Sequence, residues 1–285
     1  MNMKLPFALA RRFVAAETFE ETIPKIKAIN NKNIRVTLDL LGENVKEKTT
    51  ADETVEIYIE LLESIHAAGL SSTISVKLTM MGLDIDEEYC KKNLFRLLDK
   101  ARELGSFVRI DMEGSEYTQS TIDIFREAHG KYSGHVGIVI QAYLRRSQKD
   151  IEELAEIGAD IRLCKGAYKE PADIALQNMR DIREAFRRFA IILFEKTPFP
   201  RMATHDDELI EWIQSYTAEK NISKDRFEFQ MLYGLREETM EEFVQNGFQA
   251  RVYVPYGTMW FPYFKRRLME RKENILFVLS NLFKK

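Results

Sequence analysis

Most of eight short β-like runs along the chain end on a polar residue that can take part in chemistry. A barrel of eight parallel strands gathers such residues on one face, so this repetition predicts one shared pocket. Cationic side chains in that position bind carboxylates or electron-rich cofactors, whereas acids and imidazoles transfer protons. The runs supply Lys77, Asp111, Gln141, Arg162, Thr204, His205, Gln230 and Tyr253.

Lys77 and Asp111 close the second and third runs, and each has several candidate roles. A lysine at this position forms a Schiff base, binds a carboxylate or takes part in a structural ion pair. The aspartate can orient Lys77, bind a metal or act as a base, and strand-end aspartates also cap the next helix. Position alone leaves these alternatives open for both residues.

A second group of polar residues belongs to the fifth and sixth runs. Arg162 lies in a run that continues into Lys165 and Gly166, where glycine allows the backbone to approach a ligand closely. Two cations beside such a glycine suit an anionic or electron-rich cofactor. The sixth run ends on Thr204 and His205, which offer hydroxyl and imidazole groups, although a lone histidine is more often structural. Neither segment alone decides the function.

Two adjacent arginines, Arg266 and Arg267, follow the eighth run in a helical segment rich in aromatic residues. Neighbouring residues on a helix point about 100° apart, but both guanidinium groups can still flank one small anion. The alternatives are a solvated basic run, or an ion pair between Arg266 and Glu270 one turn later. The spacing by itself favours these alternatives.

The elements that would position these residues are eight β-like runs that alternate with helical patterns. The runs are apolar on both faces, which is typical of a parallel sheet covered by helices. Eight such units favour a closed α/β barrel over an open doubly wound sheet. The runs cover Arg35–Leu40, Thr73–Lys77, Phe107–Asp111, Val136–Gln141, Asp160–Cys164, Met202–His205, Phe227–Gln230 and Arg251–Val254.

Helical periodicity fills the segments between the runs. The first of these patterns precedes the first strand and predicts an extra N-terminal helix. The patterns cover Phe19–Ile29, Glu53–Ala68, Tyr89–Leu104, Thr121–Ala128, Lys149–Ile157, Pro171–Phe194, Glu208–Glu219, Glu237–Asn246 and Met259–Arg271.

Length and composition describe an ordinary globular protein. Of the 285 residues 45% are hydrophobic and 31% are charged, and the formal net charge of −3 argues against a nucleic-acid surface. A (β/α)8 barrel takes about 250 residues. We therefore expect a single domain over residues 1–285, with a helical N-terminal segment over about residues 1–33.

Several other classes of protein and site are not expected. The two cysteines, Cys90 and Cys164, are too few for a disulfide framework, which indicates a cytoplasmic setting. No signal peptide or membrane-spanning stretch is predicted, because the apolar runs are far shorter than about 20 residues. Neither GxGxxG nor a P-loop motif occurs, and the four histidines lack metal-binding spacing, so we expect no metal.

Taken together, eight segments resemble the proline dehydrogenase family, the flavoenzymes of proline catabolism. The likeness runs from about Arg11 to Asn274, and the length is similar to that of the short single-function bacterial members. Each segment lies at or after a predicted strand, and all eight occur in order. The segments are Ser75–Thr79, Arg109–Glu113, Gln141–Leu144, Arg162–Tyr168, Ala203–Asp206, Glu228–Gly234, Arg251–Gly257 and Tyr263–Glu270.

The resemblance implies a distorted (β/α)8 barrel of the TIM type that holds FAD at the carboxyl ends of its strands. It implies oxidation of L-proline to 1-pyrroline-5-carboxylate, with hydride transfer to the flavin and electrons passed to a quinone. This reaction is the first step of proline degradation to glutamate. The use of a quinone further implies peripheral contact with the inner face of the membrane.

The resemblance also assigns roles to individual positions. Lys77, Arg266 and Arg267 are similar to the groups that hold the proline carboxylate. Asp111 resembles the active-site acid beside the lysine, and Arg162 resembles the arginine near the reactive nitrogen of the flavin. Further substrate contacts correspond to Tyr253, Leu232 and Glu270. Flavin contacts correspond to Met112, Gln141, Lys165, Gly166, Ala167, Tyr168, Thr204 and His205.

Two other functions remain as alternatives for the same residues. A Schiff-base aldolase or lyase would use Lys77 or Lys165 as its nucleophile. A non-catalytic barrel would serve as a binding or scaffold protein. The visible spectrum of the purified protein, before and after proline is added, distinguishes the three functions.

Overall fold

A computed structural model describes residue 7 and residues 10–270, with the backbone alone for residues 268–270. Eight parallel strands follow one another around a closed barrel, in which β1 pairs with both β2 and β8. The strands are β1 (Arg35–Leu40), β2 (Ser72–Val76), β3 (Val108–Ile110), β4 (Val136–Gln141), β5 (Ile161–Cys164), β6 (Arg201–Ala203), β7 (Glu228–Leu232) and β8 (Gln249–Tyr256). The predicted α/β barrel with eight strands is therefore confirmed.

Helices alternate with the strands, and an extra helix precedes the barrel and contacts β1 and β8. Its start is capped by Thr18, whose hydroxyl accepts a hydrogen bond from the Glu21 N–H at 3.3 Å. Within the described residues, no helix has both the length and the apolar character needed to cross a membrane. The helices are α1 (Phe19–Asn30), α2 (Lys48–Ala67), α3 (Glu87–Glu103), α4 (Thr118–Tyr132), α5 (Ser147–Glu156), α6 (Met179–Lys196), α7 (Asp207–Glu219), α8 (Glu237–Gln245) and α9 (Trp260–Glu270).

The main core lies between the outer face of the barrel and the helices that cover it. All six residues of β4 are buried, because helices exclude water from one side and the barrel interior excludes it from the other. On α2, Val55, Tyr58 and Leu62 face this core at helical spacing and are fully buried. The apolar pattern of the sequence thus decides which face of each element points inward.

Among the predicted helix boundaries, the start of α6 differs most from the structure. The helical pattern at Pro171–Phe194 was expected to be continuous, but residues 171–178 form turns and an isolated bridge between Leu144 and Ala175. The helix α6 begins only at Met179, where the Asn178 side chain accepts a hydrogen bond from the Arg180 N–H at 2.9 Å. An asparagine cap satisfies a backbone donor that a continuing helix would have used, so it fixes the start there.

Buried ion pairs fill the barrel at the amino ends of the strands. Glu228 is fully buried and accepts hydrogen bonds from Arg251 Nε at 2.8 Å and Arg201 Nη1 at 3.0 Å. Asp160 in turn bonds Arg201 Nη2 at 2.6 Å and pairs with Arg109. Burial by itself would raise the pKa of Glu228, but the positive charges of Arg251 and Arg201 have the larger effect and lower the pKa to about 2. This end of the barrel is therefore closed by charged groups that pair with one another.

The N-terminal segment before α1 packs against the barrel and holds α9. Phe13 contacts Phe264 of α9 in a small apolar cluster that also includes Trp260. Gly234, with φ of +71°, allows a very close approach, because a Cβ atom there would lie 1.6 Å from the Arg12 carbonyl oxygen. The N-terminal segment and α9 thus depend on each other for their position.

Candidate active site

A pocket of about 380 Å³ opens at the carboxyl ends of the strands, opposite the ion-pair network. Its volume is within the range of small-molecule sites. The pocket is lined by every predicted site residue except Glu270, whose side chain lies outside the described part of the chain. These lining residues are Lys77, Asp111, Met112, Gln141, Arg162, Lys165, Gly166, Ala167, Tyr168, Thr204, His205, Leu232, Tyr253, Arg266 and Arg267.

Lys77 follows β2 directly and is buried against an acid that the sequence analysis did not select. Its Nζ lies 2.6 Å from Oδ1 of Asp39, which is on β1 and fully buried. Burial alone would lower the pKa of Lys77, but the charges of Asp39 and Asp111 outweigh it and raise the pKa above its ordinary value. A lysine held in its protonated form binds anions and is a poor Schiff-base nucleophile.

Asp111 follows β3 and fixes two neighbours in the pocket. Its Oδ1 accepts a hydrogen bond from Arg162 Nη1 at 2.9 Å, and its Oδ2 accepts one from the Tyr253 hydroxyl at 2.7 Å. The Arg162 guanidinium also lies 5.4 Å from the centre of the Tyr253 ring. Asp111 was expected beside Lys77, and its charge does act on that lysine, but Asp39 makes the direct ion pair.

Arg266 and Arg267 reach the same pocket from α9. Arg266 forms two parallel hydrogen bonds with the Glu43 carboxylate, at 2.5 and 3.0 Å, and its guanidinium lies 5.8 Å from the centre of the Tyr168 ring. Arg267 is 8% exposed and lies over the ring of Tyr263. The solvated run that the spacing favoured is therefore wrong for this pair. The described carboxylate partner of Arg266 belongs to the β1–α2 loop and is far away in sequence.

Gln141 connects two strand ends on the other side of the pocket. Its Nε2 donates to the Glu113 carbonyl oxygen at 2.9 Å, and its Oε1 accepts from the Ala167 N–H at 3.2 Å. Gly166 has φ of +126°, and a Cβ atom there would lie 2.3 Å from the Tyr143 ring. The glycine was expected to let a ligand approach closely. The structure gives a further reason for it, because both the backbone conformation and Tyr143 exclude a side chain.

Lys165, Thr204 and His205 are held by neighbours at the ends of β5 and β6. Lys165 Nζ lies 2.8 Å from Asp206 Oδ2, and the Thr204 hydroxyl accepts a hydrogen bond from the Asp206 N–H at 3.1 Å. The Leu232 N–H donates to Nε2 of His205 at 2.9 Å. Because Nε2 accepts this bond, the histidine presents an acceptor to the backbone of β7.

Sequence reasoning missed two acids of the pocket region. Asp39 carried a usable signal, because an acid within the apolar run of β1 needs a buried cation as its partner. Glu43 carried no such signal, since it follows the strand in a short loop and its partner Arg266 is 223 residues away. Such a pair is created by the closure of the barrel, which brings α9 beside the first strand.

Fold and pocket together define a class of protein. A closed (β/α)8 barrel with cations, acids and a tyrosine gathered at the carboxyl ends of its strands is an enzyme of the TIM-barrel class.

Comparisons with known proteins assign the family within that class. The family model described as proline dehydrogenase matches residues 22–279. Proline dehydrogenase 2 of Bacillus subtilis (strain 168) is 38% identical over 276 residues, which cover 97% of this chain and 91% of the relative. Proline dehydrogenase of Deinococcus radiodurans is 37% identical over 280 residues, with 97% and 90% covered. The chain belongs to the proline dehydrogenase family, which is flavin-dependent in general.

A solved structure matches the same fold. Proline utilization A (PutA) from Bdellovibrio bacteriovorus, inactivated by N-propargylglycine, superposes with a TM-score of 0.86 and 27% identity. The match covers 93% of this chain but 33% of the PutA chain, so this chain spans about a third of that protein. The likeness extends the family assignment to the three-dimensional arrangement of the barrel.

Proposed function

We propose that this enzyme oxidises L-proline to 1-pyrroline-5-carboxylate with FAD as its cofactor and a quinone as the electron acceptor. The observation that supports this most directly is the convergence of Lys77, Arg266 and Arg267 on one pocket that also contains Tyr253. A small imino acid needs cations for its carboxylate and an apolar wall for its ring. Both are present within the same cavity.

The three cations would hold the proline carboxylate. Lys77 is kept protonated by Asp39, and Arg266 is oriented by its two bonds to Glu43. An arginine whose plane is already fixed loses less conformational entropy when it binds a carboxylate. Since Glu43 occupies the forked face of Arg266, the substrate carboxylate must share that guanidinium or displace the acid.

Tyr253 and Leu232 would form the wall against the substrate ring. Leu232 ends β7, and Tyr253 lies opposite it on β8 in the parallel register. The bond from Tyr253 to Asp111 fixes the tilt of its ring, because a buried tyrosine hydroxyl needs a partner. Glu270 remains a proposed neighbour of the substrate.

The residues of the pocket fit a flavin. Among the described residues, Arg162 Nε and Gln230 Oε1 are buried polar atoms without a hydrogen-bond partner, and both residues line the pocket. The flavin ring has nitrogen and oxygen atoms that could supply the hydrogen-bond partners that these two atoms lack. When bound, FAD supplies the hydride acceptor. Asp111 orients the guanidinium of Arg162, and its positive charge would stabilise negative charge that develops on the bound cofactor.

The remaining contacts of FAD are proposed from the same pocket lining. Cationic and backbone groups at the ends of β5 and β6 would bind its polar parts, while the apolar positions of the lining would cover its ring. The residues in question are Met112, Gln141, Lys165, Gly166, Ala167, Tyr168, Thr204 and His205. We further propose one barrel domain, a cytoplasmic location and peripheral contact with the membrane that supplies the quinone.

The visible spectrum tests the proposed function. We expect purified protein incubated with FAD to be yellow, and anaerobic L-proline to bleach the flavin band. A colourless protein that stays without FAD would contradict the cofactor assignment. A yellow protein that proline does not bleach would instead favour a binding role for the barrel.

Replacing Tyr253 with serine should change the choice between substrates. We expect the preference for proline over hydroxyproline to decrease, because the smaller side chain leaves room beside the ring. The measurement is kcat/KM for both substrates. Tyr253→Phe is the matched control, since it removes only the hydrogen bond to Asp111 and keeps the ring. If neither variant shifts the preference, Tyr253 is not the ring contact.

A further inference from the structure

We propose that Thr79 and Glu113 are positioning residues, which clamp the β1–α2 loop so that its Glu43 orients Arg266. The proposal rests on the proposed function, because Arg266 is assigned there to the substrate carboxylate. Neither Thr79 nor Glu113 lines the pocket, and both are buried. Their role is therefore argued from the contacts that they make with the loop.

Thr79 is the central residue of this clamp. It lies in the short 3-10 helix Leu78–Met81 that follows Lys77, and it is fully buried. Its hydroxyl accepts a hydrogen bond from the Asn44 N–H at 3.1 Å, and its carbonyl oxygen accepts one from the Val45 N–H at 3.1 Å. These two amides directly follow Glu43, so one residue of the β2–α3 connection holds the segment that carries this acid.

Glu113 fixes Thr79 from the opposite side. One carboxylate oxygen accepts from the Thr79 hydroxyl at 2.6 Å and the other from the Thr79 N–H at 3.1 Å. Glu113 is 4% exposed, and its own carbonyl oxygen accepts the bond from Gln141 Nε2 described above. Since the Thr79 hydroxyl donates to Glu113, its lone pairs stay directed at the loop. The clamp thus connects β4 to the β1–α2 loop.

The loop needs such a clamp because its own conformation is unfavourable. Asn44 has φ of +56°, in the left-handed region that residues other than glycine adopt at a cost. Gly42 lies so close to Met80 that a Cβ atom there would be 2.7 Å from its Cε atom. Bonds from Thr79 to both residues after Glu43 oppose relaxation of this turn. The Asn44 side chain anchors the loop as well, since its Nδ2 donates to Asp84 Oδ2 and to the Tyr117 hydroxyl, each at 3.1 Å. Loss of the Thr79 bonds would therefore loosen the geometry that pairs Glu43 with Arg266.

Hydrogen exchange tests the clamp without reference to activity. In Thr79→Val, the Asn44 amide loses its acceptor. We expect exchange of the peptide covering residues 42–46 to become about tenfold faster, as for the loss of one hydrogen bond. Thr79→Ser retains the hydroxyl and should exchange like the wild type. The helix α3 in the same samples is the internal control, because global destabilisation would accelerate its exchange as well.

Steady-state kinetics of the FAD-loaded protein test the consequence for Arg266. We expect Thr79→Val to raise the KM for proline severalfold with little change in kcat, and Thr79→Ser to restore the wild-type KM. A packing role alone would not be rescued by the hydroxyl. If Thr79→Val does not fold, Glu113→Gln tests the same clamp from its other side. We expect a smaller acceleration of amide exchange at residues 42–46 in this variant, because its amide oxygen still accepts a hydrogen bond from the Thr79 N–H.

Two results would overturn the proposal. One is unchanged exchange of residues 42–46 when the hydroxyl is removed, and the other is faster exchange with an unchanged KM. A wild-type protein that does not oxidise proline at all is a different result. It would reject the proposed function, while the exchange data would still show whether Thr79 holds the loop.

Discussion

Replacing Lys77 with methionine should lower the free energy of unfolding by about 3–5 kcal/mol, because it leaves the Asp39 carboxylate buried without its partner. The same variant should also fail to bind proline at concentrations that saturate the wild type. Urea unfolding measures the first effect, and titration of the flavin absorbance with proline measures the second.

A double variant separates these two effects of Lys77. Adding Asp39→Leu to Lys77→Met removes the buried carboxylate that has lost its partner, so we expect much of the lost stability to return. Proline binding should not return, because the cation is still missing. Lys100→Met is the matched control, since Lys100 pairs with Glu63 at the surface and its loss should change stability little. Recovery of proline binding in the double variant would disprove the role of Lys77.

Replacing Arg266 with lysine should raise the KM for proline at least about tenfold while FAD stays bound. Lysine keeps the positive charge but cannot form two parallel bonds to a carboxylate. The variant also loses one of the two hydrogen bonds to Glu43 that fix the orientation of the side chain at position 266. Steady-state kinetics give the KM, and the ratio of flavin to protein absorbance gives the occupancy of FAD.

Arg96→Lys is the control for this substitution. Arg96 pairs with Glu56 on the surface, away from the pocket, so its kinetics should match those of the wild type. Unchanged proline kinetics in Arg266→Lys would show that Arg266 does not bind the carboxylate. Loss of FAD would show that the arginine supports the cofactor site as well.

The strands were predictable because their signal is local. The run Val136–Gln141 matches β4 at both ends, since an apolar strand between helices has the same composition along its whole length. Lys77, Asp111 and Gln141 were predictable as pocket residues for a related reason. Each lies at or after the end of a strand, and in a parallel barrel these ends meet on one face.

The ion pairs of the pocket were not predictable in the same way. Nothing near Glu43 in the sequence indicates that Arg266 is its partner, because closure of the barrel brings them together. Asp39 was overlooked although its apolar neighbours carried a signal. The predicted start of α6 was wrong because Ala175 forms a β-bridge with Leu144, and a helical pattern in the sequence cannot reveal such a bridge.

The position of α9 after the last strand has a consequence during protein synthesis. The eighth strand ends at Tyr256, so all eight strands of the barrel are synthesised before Arg266 and Arg267. Until then the carboxyl end of the barrel lacks two of the three cations that are proposed to hold the substrate carboxylate. If the proposed function is correct, we expect a chain truncated before α9 to lose proline binding more completely than FAD binding, because the positions proposed for FAD lie on the strands and their loops.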